Sequence, residues 1–372
     1  MHWVADNLSW IEALSPWPEE FGLGRMHRLL AELGDPQDAF RAVHVVGTNG
    51  KTTTTRMCAA LLAAEGKTVG AYTSPHVTGW AERIQVNGEP TDMEAVLARV
   101  RPAAESVGAT QFEALTAAAL AEFRAAGVDA AVVEAGLGGR LDATNVLNAP
   151  VVVLTNVDLE HTDVLGGTRE EIAREKLAVI RPGATVVLGE PEWEELAREA
   201  GAAAVLVTGR SNLALAVAAA ESFLGKQVDP APAEDATVPG RLERVGDAPL
   251  EIWDGAHNLG GVGYVLARLP SRRYVVVASI LADKDVDGML AALSVLGDTF
   301  VATHSTNARA LTVDELAARA GRFFDCVETV ADPAEAVEQA RALAGAHGAV
   351  LVTGSLYLLA DLTTVRPQAP VP

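Results

Sequence analysis

The sequence predicts an α/β fold of mostly parallel sheets with helices on both faces, divided into two domains. Three observations carry this. Short apolar runs of β type alternate with Ala- and Leu-rich helical stretches along the chain. The length, 372 residues, exceeds what a single core usually serves. A proline-rich acidic stretch, Val228-Asp229-Pro230-Ala231-Pro232-Ala233-Glu234-Asp235, interrupts the alternation as a linker would.

The runs 42–46, 130–134, 150–155, 185–188, 274–279, 299–302 and 349–353 read as buried strands. The stretches 57–65, 93–106, 115–126, 172–180, 213–224, 313–320 and 333–344 read as helices. A larger N-terminal domain, 1–232, and a smaller C-terminal one, 233–372, are expected, with the linker at about 228–238. Residues 366–372 hold three prolines and read as a frayed tail.

Composition narrows the function classes. With 49 acidic residues against 29 Lys and Arg, the formal net charge is -20, which disfavours nucleic-acid binding. A local pocket can still attract a small anion. No run of eighteen apolar residues occurs, so no membrane partner is expected. The first residues, Met1-His2-Trp3-Val4-Ala5-Asp6, lack a basic and an apolar secretion region, so a cytoplasmic location is expected. The two cysteines, Cys58 and Cys326, both read as buried thiols.

The most informative segment is Gly47-Thr48-Asn49-Gly50-Lys51-Thr52-Thr53. It joins an apolar run, Val43-His44-Val45-Val46, to a helical stretch. Glycines there let main-chain N–H groups turn inward, and the helix start adds partial positive charge, so the loop suits ATP phosphates. Lys51 can reach the β- and γ-phosphates, and Thr52 or Thr53 can ligate Mg2+. Val45 stands where the strict phosphate-loop pattern has its first glycine, so the loop is a variant.

A second strand delivers Glu134 at its C-terminal end, ahead of Ala135-Gly136-Leu137-Gly138-Gly139-Arg140-Leu141-Asp142-Ala143-Thr144-Asn145. A carboxylate there suits a magnesium ion bridging ATP phosphates. After the next strand comes Thr155-Asn156-Val157-Asp158-Leu159-Glu160-His161, where His161 in a polar turn is a candidate metal ligand. Lys176, inside a helical stretch, reads by itself as a solvated charge. Ile252-Trp253-Asp254-Gly255-Ala256-His257 is a strand running into a polar glycine turn, which makes Asp254 and His257 candidates for a nucleotide site.

Taken in order, these segments resemble the dihydrofolate synthase/folylpolyglutamate synthase family of the Mur ligase superfamily. The likeness begins at Phe21-Gly22-Leu23-Gly24-Arg25-Met26 and continues through the phosphate loop, Tyr72-Thr73-Ser74-Pro75-His76, Glu82-Arg83-Ile84 and Phe112-Glu113. Glu134, His161, Glu175-Lys176, Pro239-Gly240-Arg241 and Asp254 then follow, ending at Gly354-Ser355-Leu356-Tyr357.

The resemblance implies a Mur-ligase-like two-domain architecture. An N-terminal P-loop ATPase domain with a mostly parallel sheet precedes a smaller C-terminal Rossmann-like α/β domain. It implies an ATP-dependent ligase joining L-glutamate to dihydropteroate or folate through an acyl phosphate, acting as a monomer. It implies ATP contacts from Gly47, Thr48, Asn49, Gly50, Lys51, Thr52, Thr53, Asn212, Arg241, Asp254 and His257. Magnesium, at two sites, would be held by Thr52, Ser74, Glu134 and His161, with a monovalent cation nearby. Catalytic roles fall to Lys51, Lys176 and His161, Lys176 matching the family's carbamylated lysine. The pterin acid would meet Gly24, Arg25, Phe112, Glu113, Arg140, Asp142 and Ala143.

The chain departs from the family at Thr52, where glycine is usual, at Leu177-Ala178-Val179 and at Leu259. Gly-Lys-Thr-Thr favours a Mur-type ligase with another carboxylate acceptor. Against that, only 46 residues precede Gly47, too few for a uridine-nucleotide domain. A nucleotide switch is the remaining reading, since Asn156 and Asp158 faintly resemble a guanine-reading N-K-x-D motif, though without its lysine.

Overall fold

The computed structural model describes residues 6–365. The proline-bearing segment 366–372 and residues 1–5 lie outside them. The chain forms two compact units. One comprises the described residues through Pro75 and Trp80–Ala236; the other comprises His76–Gly79 and the described residues from Thr237 onward.

Among the described residues of the first unit, eight strands form one sheet. They are β1 Arg41–Val46, β2 Val69–Tyr72, β3 Ile84–Val86, β4 Glu89–Pro90, β5 Ala130–Glu134, β6 Val151–Leu154, β7 Thr185–Leu188 and β8 Ala204–Val207. Their order is β4-β3-β2-β5-β1-β6-β7-β8. From β2 to β8 every pairing is parallel; β3 and β4 add an antiparallel edge.

Side-chain alternation explains how both faces of this sheet are covered. On β1, Val43 and Val45 point to one face, where helices Lys51–Ala64 and Asn212–Leu224 bring Leu61, Leu62, Leu215 and Ala216. Ala42 points the other way, toward helices Met93–Val107 and Gln111–Ala125. Val46 on that second face meets Ile172 and Leu177 of helix Arg169–Leu177.

The second unit holds a six-stranded sheet, β13-β12-β11-β14-β10-β9. These strands are β9 Glu243–Asp247, β10 Leu250–Trp253, β11 Tyr274–Ala278, β12 Thr299–Ala302, β13 Cys326–Thr329 and β14 Ala349–Thr353. All pairings are parallel except β9 with β10. Again one core lies on each face, Val276 and Ala278 in one, Val275 and Val277 in the other.

One expectation needs correction. Cys58 is buried, but Cys326 is exposed, because it opens edge strand β13, which has a neighbour on one side only. Within the stretch 228–238, Ala231–Glu234 forms a short turn of helix that buries Ala233 in the core around Leu61 and Ala219, and the two units divide after Ala236.

Candidate active site

Strand order builds the site. In open parallel sheets, the loops after the C-terminal strand ends bind ligands. Here the neighbours β2, β5, β1, β6 and β7 deliver, in that spatial order, Ser74, Glu134, the 47–53 loop, Thr155-Asn156-Val157-Asp158 and Glu190.

The loop after β1 is shaped by two glycines. Gly47 has φ 146° and Gly50 φ 82°. A Cβ at Gly47 would overlap the Thr155 hydroxyl, and one at Gly50 would overlap the Asn212 side-chain oxygen. No larger residue fits either place without moving a neighbour. Helix Lys51–Ala64 starts immediately afterwards, and its first hydrogen bond runs from Thr54 N to Gly50 O. The N–H groups of Lys51, Thr52 and Thr53 precede that bond and face out of the helix start, as an anion requires.

The loop after β6 clamps this one. Thr48 N donates to Asn156 O at 3.0 Å and Asn49 N to Asn156 Oδ1 at 2.8 Å. Asn49 Nδ2 donates to Asp158 Oδ2 at 3.1 Å, and Thr155 Oγ1 donates to Asn49 O at 2.7 Å. The N–H groups of Thr48 and Asn49 are thus spent on the clamp.

Thr52, Ser74 and Glu134 come together. Thr52 Oγ1 donates to Glu134 Oε1 at 3.1 Å and Ser74 N donates to Glu134 Oε2 at 3.1 Å. The threonine that replaces the usual glycine therefore touches the carboxylate of the expected metal site. Hydroxyl and carboxylate oxygens suit Mg2+ as a hard cation. Among the described residues no group of three or more His, Cys, Asp or Glu is placed to hold a metal ion.

Two ammonium groups converge on one carbonyl. Lys51 Nζ donates to Gly47 O at 3.0 Å and to Thr48 O at 3.1 Å. Lys176 Nζ donates to Gly47 O at 3.0 Å and to Glu160 Oε1 at 3.0 Å. Read alone as a solvated charge, Lys176 is instead only 1% exposed. Helical periodicity could not reveal that its turn packs under the phosphate loop. Burial pushes the Lys176 ammonium below the ordinary lysine range, Glu160 pulls it back up, and Lys51 adds to the lowering. Burial alone would raise the Glu160 carboxyl, but Lys176 and Lys51 outweigh it and hold it at about 2. His161 follows directly, with φ 46°, as the N-cap of the short helix Thr162–Leu165.

The residues expected to meet the pterin acid fall into two groups. Arg25 Nε, in the first turn of helix Gly24–Glu32, donates to Glu113 Oε2 at 2.9 Å. The same carboxylate caps helix Gln111–Ala125 by accepting from Thr110 N at 2.9 Å. Phe112 packs beside Tyr72, their ring centroids 6.2 Å apart, and lies against Gly136, where a Cβ would come within 2.5 Å of it.

The other group lies in the loop after β5. Arg140 is exposed and pairs with Glu175 at 3.1 Å. Ala143 is buried. Asp142 is buried too, and it ties the loop by accepting from Leu137 N at 2.8 Å and Thr144 N at 3.0 Å. Burial raises its carboxyl above the ordinary range, and these hydrogen bonds oppose the rise.

In the second unit, Asp254 and His257 follow β10, and Arg241, just before β9, lies close enough to Asp254 to act on its charge. Asp254 accepts from Leu242 N and Ala256 N, each at 2.8 Å. Burial raises its carboxyl and Arg241 opposes the rise. His257 Nδ1 lies 2.9 Å from Gly255 O.

Sequence reasoning missed Glu160 and Glu190 altogether, and noted Asn156 and Asp158 only for a faint likeness to a guanine-reading motif that lacks its lysine. Their signal was position alone: Asn156, Asp158 and Glu160 follow β6, the sheet neighbour of β1, and Glu190 follows β7, one strand further out.

Comparisons with known proteins identify the family. The Mur ligase middle domain model matches residues 45–228, and the model of the Mur ligase, glutamate ligase domain, matches 240–356. The dihydrofolate synthase/folylpolyglutamate synthase of Mycobacterium tuberculosis is 36% identical, covering 88% of this chain and 84% of that protein. The Escherichia coli enzyme of the same name is 33% identical over 97% of this chain and 95% of its own.

Among solved structures, Mycobacterium tuberculosis folylpolyglutamate synthase complexed with ADP matches with TM-score 0.89 and 33% identity, covering 99% of this chain and 100% of that one. E. coli FolC in complex with DHPP and ADP matches with TM-score 0.88 and 31% identity, covering 97% and 98%. The Yersinia pestis bifunctional enzyme with Mn, AMPPNP and L-glutamate bound matches with TM-score 0.85 and 30% identity, covering 96% of each. The chain belongs to the dihydrofolate synthase/folylpolyglutamate synthase family, ATP-dependent amino-acid ligases of the Mur type.

Proposed function

We propose that this ligase joins L-glutamate to dihydropteroate, to folate or to both, through an acyl phosphate. One observation carries the reading. Lys51, Lys176 and the Thr52–Glu134–Ser74 group converge on a single loop at adjacent strand ends. A carboxylate is a poor acyl donor, because its leaving group is oxide. Transfer of the ATP γ-phosphoryl group to it creates a phosphate leaving group, and the glutamate amine then attacks the acyl carbon.

The residues suit those needs. Lys51 is placed to leave the Gly47 and Thr48 carbonyls for the phosphates, where its charge opposes the negative charge that builds in transfer. Glu134, with Thr52 and Ser74, would hold magnesium, and His161 is the expected further ligand. Bound there, the ion supplies charge neutralisation on the transferring phosphoryl oxygens. Buried Lys176, its ammonium destabilised, is the side chain that carbamylation would reach in its neutral form. In the second unit, Arg241, Asp254 and His257 are the nucleotide contacts that the family resemblance implies. The Arg25–Glu113 pair, Phe112 and the loop tied by Asp142 are the pterin side of the site.

The relatives support this chemistry class: solved ones carry ADP with DHPP, or Mn with AMPPNP and L-glutamate. The test is product mass. The protein is incubated with ATP, Mg2+, glutamate and either dihydropteroate or a reduced folate. A gain of one glutamyl residue on either acceptor is expected, with ADP released in step. ATP turnover without any new amide would overturn the reading.

A further inference from the structure

We infer that Glu190 is a positioning residue for nucleotide binding, tying together the segments that clamp the phosphate loop. It lies after β7, buried, and its carboxylate makes four contacts. Oε2 accepts from Val157 N at 2.8 Å and from Trp193 Nε1 at 2.7 Å. Oε1 pairs with Arg169 Nη2 at 2.8 Å and also with Arg210. Arg169 closes a ring, because its Nε donates to Val157 O at 2.8 Å. Both main-chain groups of Val157 are therefore fixed by one ion pair.

The neighbours of Val157 give this ring its function. Asn156 accepts from Thr48 N and Asn49 N, and Asp158 accepts from Asn49 Nδ2. Arg210 lies two residues before Asn212, whose side chain fills the space beside Gly50. Arg169 opens the helix that carries Lys176. Glu190 thus anchors, through hydrogen bonds and not through the ligand, three segments that press on the 47–53 loop. A buried carboxylate with four partners is costly to disturb, since losing it leaves the Val157 N–H and the Trp193 Nε1–H without their acceptor and unties Arg169 and Arg210 from a common anchor.

This inference rests on reading 47–53 as the nucleotide loop, so the experiment separates the two. ADP affinity is measured by calorimetry with Mg2+ on the full chain, for wild type, Glu190→Gln, Asn156→Ala, their double variant and Lys51→Ala. Glu190→Gln is expected to weaken ADP binding by about tenfold to a hundredfold through loop misplacement. KM for ATP should rise while KM for the folate acceptor stays unchanged. The double variant should be no worse than its weaker-binding single parent, because both act through the same clamp.

Wild-type ADP affinity in Glu190→Gln, or losses that multiply in the double variant, would overturn the role of Glu190. If Lys51→Ala binds ADP as wild type does, the loop reading itself fails. Should Glu190→Gln not fold, Arg210→Gln carries the test, because that guanidinium is half exposed and its loss keeps the carboxylate in place. A rise in KM for ATP alone is expected; unaltered KM values would again overturn the role.

Discussion

His44 sits at the centre of β1 with no solvent exposure. Its Nε2 lies 2.8 Å from Thr144 Oγ1, and its Nδ1 has no hydrogen-bond partner among the described residues. Burial, reinforced by the charge of Arg181, lowers the ring from its ordinary 6.5 to about 3. The sign follows. The unfolded chain takes up this proton near pH 6.5 and the folded chain does not, so stability is full above 6.5 and is lost progressively as pH falls toward 3. Between pH 7.5 and 5 the loss amounts to about 2 kcal/mol. In His44→Gln, whose amide can still reach Thr144, this loss should vanish. Urea unfolding at the two pH values checks it, and equal pH dependence in both proteins would refute it.

At the scale of elements, one carboxylate serves a helix and a neighbour at once. Glu113 closes the capping box of helix Gln111–Ala125 with Thr110 and pairs with Arg25. Glu113→Gln can keep the cap and loses the ion pair; Glu113→Ala loses both. Thermal unfolding should place the alanine variant about 1 kcal/mol below the glutamine variant. Both should bind the folate acceptor more weakly, measured as a rise in its KM.

The same scale decides what was legible in the sequence. β5, β7, β12 and β14 were readable because they are continuous apolar runs buried on both faces. β2 was not, because Gly70 interrupts it; a Cβ there would strike the Phe123 ring. Edge strand β13 was missed because Cys326-Val327-Glu328-Thr329 carries a mixed pattern; β8 was missed although Ala204–Val207 is wholly apolar, and it lies largely exposed at the sheet edge. The phosphate loop was legible from local chemistry alone. The environment of Lys176 and the anchoring by Glu190 were not, since each depends on strand neighbours far apart in the chain.

At the scale of the whole molecule, two units each enclose their own pair of sheet faces. The surplus of 20 negative charges is spread over a molecule whose phosphate loop nevertheless gathers two ammonium groups at one carbonyl. Among the described residues no helix is long and apolar enough to cross a membrane.

The ring around Val157 also has a consequence in time. Amides tied to a common anchor open together, not one by one. The N–H groups of Thr48, Asn49 and Val157 are bonded to one another's loops and, through Val157, to Glu190. Their exchange with deuterated water should therefore follow a single rate. In Glu190→Gln that shared rate should rise for all three while the amides of β1 and β5 keep theirs. Site-resolved exchange mass spectrometry reads this directly, and three unrelated rates in the wild-type protein would show that the loop breathes residue by residue.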